Sequence, residues 1–268
     1  MRVYISADIE GVTDVTIWEE TERGGKGYDR ACEQMTAEVA AACRGAFAGG
    51  ADEIVVKDAH DSALNLIHEK LPRGVKLIRA WCSSKDSMVA CVDQGFDVAF
   101  FTGYHSEGGS DANPLAHTMT HTDIYLTKIN GHRVSEMEIN ALICAKYDVP
   151  VALVTGDKGL CVTAAELIEG VHTVPVKSGI ASATFNMHPL DAIELIEEEA
   201  KKAIIDFKAG RVKPLDLPEK PVLELTYREH SFAKAALNYP GVVQVDPYTV
   251  RYEAKNFDDL LTAYRFIH

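Results

Sequence analysis

Basic charge is scarce in this sequence. Its 268 residues include 27 lysines and arginines against 40 aspartates and glutamates, which gives a formal net charge of −13 at pH 7. A chain with this balance repels the phosphates of nucleic acids and the headgroups of anionic lipids. The composition therefore argues against nucleic-acid binding and against attachment to a charged membrane surface.

Long apolar runs and Cys-x-x-Cys pairs are also absent. No segment is apolar for the length of a membrane span, and the first strand-like run begins at Arg2, which leaves no room for a signal peptide. The expected location is the cytoplasm. The scattered cysteines are best interpreted as buried reduced thiols rather than disulfides or thiolate zinc sites; they are Cys32, Cys43, Cys82, Cys91, Cys144 and Cys161.

Phosphate-binding glycine motifs, internal repeats and low-complexity segments are likewise missing. The glycines of "TGYHSEGG" and "TGDKG" match neither a P-loop nor G-x-G-x-x-G, so nucleotide binding has little support.

What the sequence does contain is an alternation of short β-rich runs with helical segments. This pattern predicts an α/β fold with a mostly parallel sheet flanked by helices. A proline-rich connector, "AGRVKPLDLPEKP", precedes further short strands and a terminal helix. We therefore expect a catalytic α/β domain over residues 1–208 and a small C-terminal α+β appendage over residues 209–268, with a soft boundary.

Several predicted strands end in residues that can bind a metal. "YISADIE" ends with Asp8 and Glu10, "IVVKDAH" ends with Asp58 and His60, and "AFFTGYH" ends with His105. The carboxyl ends of parallel strands share one edge of the sheet, and residues two apart on an extended chain face the same way. Carboxylates and imidazoles without cysteine suit Zn²⁺ or Mn²⁺ acting on a water. Taken singly, each acid or histidine is better explained as a cap, turn or hydrogen-bonded residue.

Two further segments could contribute to chemistry. A polar loop carries His117 and His121, either of which could act as acid, base or nucleophile beside a metal. Glu136 falls in the first turn of a predicted helix, where the helix dipole alone favours a carboxylate. Ser135 and Glu138 fit the S-x-x-E capping box of that helix.

A series of short motifs resembles the zinc-dependent D-aminopeptidases of the DppA type. The strings are "SADIEGVT", "KDAHDS", "GYHS", "LAHTM" and "SEMEINA", and they follow in the family's order across roughly residues 1–250. The resemblance implies two zinc ions per subunit, with Mn²⁺ or another divalent metal as a possible substitute. It implies that Asp8 bridges them, that Glu10 and His105 complete one site, and that His60 and Glu136 complete the other.

The same resemblance implies that His117 is the catalytic residue, which the family describes as a nucleophile. It also implies an aminopeptidase that releases D-amino acids, such as D-alanine, from short peptides. The implied assembly is a ring-shaped homodecamer. Glu138 lies where the family pattern has glycine, which concerns substrate preference rather than the metals.

Other functions are compatible with the same residues. The metal site could belong to an L-aminopeptidase, an amidase or a phosphoesterase. Phosphate substrates call for basic residues near the metals, and the motifs offer only Lys57 and Lys158. A non-enzymatic metal-binding scaffold would not require His117.

Overall fold

Strands and helices alternate along the first part of the chain. The computed structural model describes residues 1–268. Its strands are β1 (Arg2–Ala7), β2 (Glu53–Asp58), β3 (Lys76–Ile78), β4 (Val98–Tyr104), β5 (Ile124–Ile129), β6 (His132–Arg133), β7 (Val151–Asp157), β8 (His172–Ile180), β9 (Ala183–Asn186), β10 (Val222–Tyr227), β11 (Val242–Gln244) and β12 (Thr249–Glu253). Its α-helices are α1 (Tyr28–Gly49), α2 (Glu136–Ala145), α3 (Lys158–Leu167), α4 (Pro189–Lys208), α5 (His230–Ala236) and α6 (Phe257–Ile267).

Seven strands form the larger sheet, in the order β3-β2-β1-β4-β7-β8-β9. All its neighbouring strands are parallel except β8 and β9. Because β1 lies between β2 and β4, the direction of winding reverses beside β1. In open α/β sheets, ligands bind in the crevice at the carboxyl ends of the strands at this point. The predicted α/β class, with a mostly parallel sheet flanked by helices, is confirmed.

The larger sheet is buried on both faces, which explains why its strands are continuously apolar. Val3 and Ile5 of β1 pack in the core formed with α1 and α4, whereas Tyr4 faces the opposite core. Helices α1 and α4 approach closely at Gly45, where a Cβ atom would lie 2.2 Å from the carbonyl oxygen of Glu197. Helices α2 and α3 lie on the other face of the sheet and contribute to the core that contains Tyr4.

A smaller antiparallel sheet, in the order β11-β12-β10-β5-β6, shares that second core. The sequence places the α+β appendage entirely after residue 208, but two of these strands come from residues 124–133. They join this sheet because Ile129 and Leu223 pair directly across β5 and β10 and are buried together. The boundary at residue 208 stays a prediction, and the smaller sheet draws strands from both sides of it.

Two hairpins extend the sheets. Asn130 and Gly131 form the tight turn between β5 and β6, with φ angles of 52° and 87° that suit an Asn-Gly hairpin connection. The hairpin of β8 and β9 adds one antiparallel strand at the edge of the larger sheet. None of the helices combines the length and the apolar composition that crossing a lipid bilayer requires.

Candidate metal centre

The two acids after β1 lie at the point where the sheet reverses its winding. Asp8 continues the sheet hydrogen bonding by donating its N–H to the carbonyl of Thr102, 2.9 Å away. Asp8 and Glu10 are each 2% exposed. Gly11 passes so close to β4 that a Cβ atom there would lie 1.7 Å from the carbonyl oxygen of Tyr104. The glycine therefore lets the chain cross β4 and directs both carboxylates inward.

His60, just after β2, faces both acids. Its Nε2–H donates to the carbonyl of Thr21 at 2.7 Å. Its Nδ1 lies 3.3 Å from Asp8 Oδ1 and 3.1 Å from Glu10 Oε2. Because the Nε2 hydrogen bond fixes the tautomer, the Nδ1 lone pair is available to a metal between these three side chains.

His105, just after β4, faces the other oxygen of Asp8. Its Nδ1–H donates to the carbonyl of Ser106 at 2.9 Å, and its Nε2 lies 3.5 Å from Asp8 Oδ2. The same Nε2 lies 3.5 Å from Glu136 Oε1, at the start of α2. Asp8 thus presents one oxygen towards each of two groups of ligands.

His117 reaches the second group from the polar loop. Its Nδ1–H donates to the carbonyl of Leu115 at 2.9 Å, and its Nε2 lies 3.6 Å from Glu136 Oε1. Its ring stacks on the ring of His105, with centroids 4.3 Å apart. His117 therefore lies where it can reach a group bound beside Glu136, or bind a metal itself.

The cluster has the properties of a cation site. Three of its atoms are buried without a hydrogen-bond partner: Asp8 Oδ2, Glu10 Oε2 and His105 Nε2. Within each of two triads, Asp8 with Glu10 and His60, and His105 with His117 and Glu136, the potential ligand atoms lie within 4.8 Å of one another. A buried polar atom without a hydrogen-bond partner lowers the stability of the folded protein unless an ion or a water molecule contacts it. The donor set and its spacing fit two divalent ions.

The geometry groups the ligands differently from the family resemblance. Glu10 lies with His60, and Glu136 lies with His105, whereas the resemblance pairs Glu10 with His105 and His60 with Glu136. The central position of Asp8 is common to both arrangements.

Crowding of the acids shifts their proton affinities. Burial and the charge of Glu10 raise the pKa of Asp8 well above its ordinary value. Burial opposes ionisation of Glu10 as well, but the neighbouring His60 outweighs it and holds the pKa of Glu10 well below its usual range. Burial would lower the pKa of His105, but Glu136 overrides this and raises that pKa to about 10. Positive charge is thus strongly favoured among these carboxylates.

His117 differs from the other two histidines. Its burial, reinforced by the charge of His105, lowers its pKa below the usual histidine value. With its Nδ1–H donated to a backbone carbonyl, the neutral ring keeps a lone pair on Nε2, as a general base requires.

A buried network fixes the backbone beside these ligands. The carbonyl of Glu10 accepts hydrogen bonds from Lys177 Nζ at 2.6 Å and Asn113 Nδ2 at 3.0 Å. Asp157 accepts from Asn113 and from the N–H of Ser106, at 2.7 Å for the latter. Burial lowers the pKa of Lys177 to about 8. Asp157 thus caps α3 and also ties the segments after β1 and β4 together.

Other candidates from the sequence lie outside the cluster. The carboxylate of Asp58 accepts hydrogen bonds from the N–H groups of Asn65 and Leu66, at 2.6 and 2.8 Å, so it orders a loop. Ser135 caps α2 by accepting from the N–H of Glu138, but the Glu138 side chain pairs with His132 instead of completing the capping box. Glu138 is therefore not a metal ligand in this arrangement.

A cavity of about 650 Å³ opens onto the cluster. Trp18 lines it and stacks on His121, with ring centroids 3.8 Å apart. Trp81 and Arg265 also line it, and neither stands near a ligand motif in the sequence. No local sequence pattern identifies these two residues, because the fold brings them to the site from distant segments.

Comparisons with known proteins show the family of this chain. A family model described as D-aminopeptidase matches residues 1–266. A D-aminopeptidase of Bacillus subtilis (strain 168) is 33% identical over 270 residues, covering 99% of this chain and 94% of the relative. The solved structure of the Zn-dependent D-aminopeptidase DppA from Bacillus subtilis, described as a self-compartmentalizing protease, matches with a TM-score of 0.92 and 31% identity, covering 100% of this chain and 96% of that one. The chain therefore belongs to the D-aminopeptidase family.

Proposed function

We propose that this protein is a dinuclear zinc aminopeptidase that releases N-terminal D-amino acids, such as D-alanine, from short peptides. The observation that carries the proposal is the convergence of three carboxylates and three histidines at the reversal point of the sheet, with partnerless atoms facing one another. Family membership supports the reaction class.

In this proposal Asp8 would contribute to the binding of both ions, because its two oxygens face the two groups of ligands. Glu10 and His60 complete one site, and His105 and Glu136 complete the other, as the shortest distances between ligand atoms favour. Ions bound there supply a Lewis acid for the scissile carbonyl and bring the pKa of water towards neutrality. Zinc is the proposed native metal, because the solved relative is described as zinc-dependent. Mn²⁺ would suit the same ligands.

His117 is the proposed catalytic residue. Its Nε2 takes the proton of the attacking water and then gives it to the leaving amine, which balances the hydrolysis of the amide bond. The family resemblance implies attack by the imidazole itself. The acid–base role is favoured here because a water activated by two ions makes a second nucleophile redundant, and because the His117 ring is held neutral with its Nε2 free.

A cleavage assay tests this function. The purified protein, loaded with Zn²⁺ or Mn²⁺, is given D-Ala-D-Ala, L-Ala-L-Ala and p-nitrophenyl phosphate. We expect hydrolysis of the D-peptide only. Asp8→Asn should abolish it, and Asp216→Asn, an exposed acid in the connector, should not change it. Turnover of the phosphate ester alone would indicate a phosphoesterase. Turnover of the L-peptide would show that the protein is not specific for D-amino acids.

A ring-shaped homodecamer is the proposed assembly. It is supported by the description of the solved relative as self-compartmentalizing and by the large exposed apolar side chains Phe185, Leu190 and Phe266. Sedimentation should give ten times the subunit mass, and a monomer would exclude the ring. The free cysteines support a reducing compartment, and we propose the cytoplasm.

A further inference from the structure

The cavity above the metal cluster has an uneven charge distribution. Five carboxylates line it, those of Asp8, Glu10, Glu22, Asp61 and Glu136, but only one lysine or arginine does so, Arg265. Asp8, Glu10 and Glu136 are proposed metal ligands, so with ions bound the uncompensated acids of the lining are Glu22 and Asp61, and Arg265 is the one basic side chain away from the ions that can attract an anion.

Arg265 projects from a helix that is firmly attached to the rest of the molecule. The Tyr264 hydroxyl lies 3.4 Å from the Thr127 hydroxyl of β5, and the Tyr227 hydroxyl donates to the carbonyl of Ile267. At the start of α6, Asp258 pairs with Lys85 and Lys146. The backbone carrying Arg265 is therefore fixed at the edge of the cavity.

The guanidinium of Arg265 has no protein partner. It is exposed and makes no ion pair or hydrogen bond with another residue, whereas six of the eleven arginines of this chain pair with acids or carbonyls. A guanidinium binds carboxylates through two parallel hydrogen bonds, and keeping it unpaired leaves both available.

We propose that Arg265 binds the C-terminal carboxylate of the peptide substrate; this inference rests on the proposed aminopeptidase function. A peptide cleaved at its first bond has its carboxylate on the leaving side. The acids Glu22 and Asp61 adjoin Thr21 and His60, whereas Arg265 follows Tyr264, which packs beside β5 close to Glu136. The ammonium end is thus favoured near His60 and the carboxylate end near α6.

This arrangement selects by length as well as by charge. Each residue of an extended peptide adds at most about 3.6 Å, so the carboxylate of a dipeptide lies within about 7 Å of its amine. Arg265 can engage the carboxylate only while the chain fits inside the cavity. Di- and tripeptides with free carboxyl ends are the expected substrates, and long peptides lose the contact.

The test compares peptide acids with their amides. For D-Ala-D-Ala against D-Ala-D-Ala-NH₂, the wild-type protein should favour the acid by roughly tenfold in kcat/KM, mainly through KM. Arg265→Gln should remove that preference by lowering kcat/KM for the peptide acid while leaving kcat/KM for the amide unchanged. Arg265→Lys should retain part of the preference. Arg73→Gln, an exposed arginine outside the cavity, is the matched control and should keep the full preference.

The outcomes separate this inference from the proposed function. Equal rates on acid and amide in the wild-type protein, or an equal loss on both in Arg265→Gln, would overturn the role of Arg265 while leaving the aminopeptidase intact. If neither peptide is cleaved, the proposed function fails. In that case the affinities of D-Ala-D-Ala and its amide are measured by calorimetry for the wild-type protein and the same variants. A preference for the acid that disappears in Arg265→Gln would support the role of Arg265, and equal affinities in the wild-type protein would overturn it.

Discussion

Each histidine of the metal cluster commits one ring nitrogen to a backbone carbonyl. His60 donates to Thr21, His105 to Ser106 and His117 to Leu115. These bonds fix which nitrogen keeps its lone pair and hold each ring in one orientation. The side chains therefore already have the orientations that the proposed cation site requires.

The two histidines of the second group should respond differently to removal. His117→Ala is expected to lower turnover by at least about 100-fold while the bound zinc is retained, because the proposed role of its imidazole is to transfer protons. His105→Ala should lose one of the two ions as well. Metal analysis of both purified variants, beside activity, checks this. Loss of zinc from His117→Ala would make His117 a ligand, as its place in the second triad permits.

Gly11 is required by space rather than by backbone conformation. Gly11→Ala would place Cβ against the Tyr104 carbonyl, so we expect a loss of at least about 3 kcal/mol in the free energy of unfolding, together with loss of bound metal. Gly74→Ala is the control. Gly74 has a φ of +93° and open space around it, so Gly74→Ala should lower the free energy of unfolding by only about 1 kcal/mol. Urea denaturation of both variants gives the comparison, and similar losses would refute the steric argument.

Residue types at strand ends were sufficient to indicate most of the cluster. The sequence placed Asp8, Glu10, His60 and His105 on one edge, and the structure brings them together. Asp58 also lies at a strand end, but its carboxylate accepts hydrogen bonds from backbone N–H groups of the loop that follows it. Hydrogen bonds of this kind depend on loop conformation, which no spacing rule encodes.

At the scale of elements, the start of α2 matters most because it presents Glu136 to the cluster. Ser135→Ala removes the cap and should lower the free energy of unfolding of the zinc-free protein by about 1 kcal/mol. Ser231→Ala, on an exposed part of α5, should change it by less than about 0.5 kcal/mol. Chemical denaturation after chelation measures both. An unchanged Ser135→Ala variant would mean that the tertiary contacts of α2 suffice without the cap.

Local pattern predicted the parallel strands well because both faces of the sheet are buried, which leaves a clear apolar signal. It gave no sign that β5 pairs with β10, about a hundred residues later, so the smaller sheet draws strands from both sides of the predicted boundary. Which strands pair across such a distance is decided by packing in the shared core.

At the scale of the whole molecule, metal binding should stabilise the fold, because the ions satisfy buried charges that only the folded chain assembles. Restoring Zn²⁺ to the chelated protein at 100 times its dissociation constant should add about 2.7 kcal/mol for each occupied site, and each such gain should raise the melting temperature by roughly 5–10 °C. Scanning calorimetry checks this. Asp8→Asn should show little of the gain, and an equal gain in that variant would place the zinc elsewhere.

The order of the segments along the chain also sets an order in time. The proposed metal ligands and His117 all lie within residues 8–136, whereas β10 and α6 come after residue 220. During synthesis, the ribosome therefore releases every metal-binding side chain while the edge of β5 still lacks its partner. If the proposed roles hold, the nascent chain carries its metal ligands before it carries Arg265.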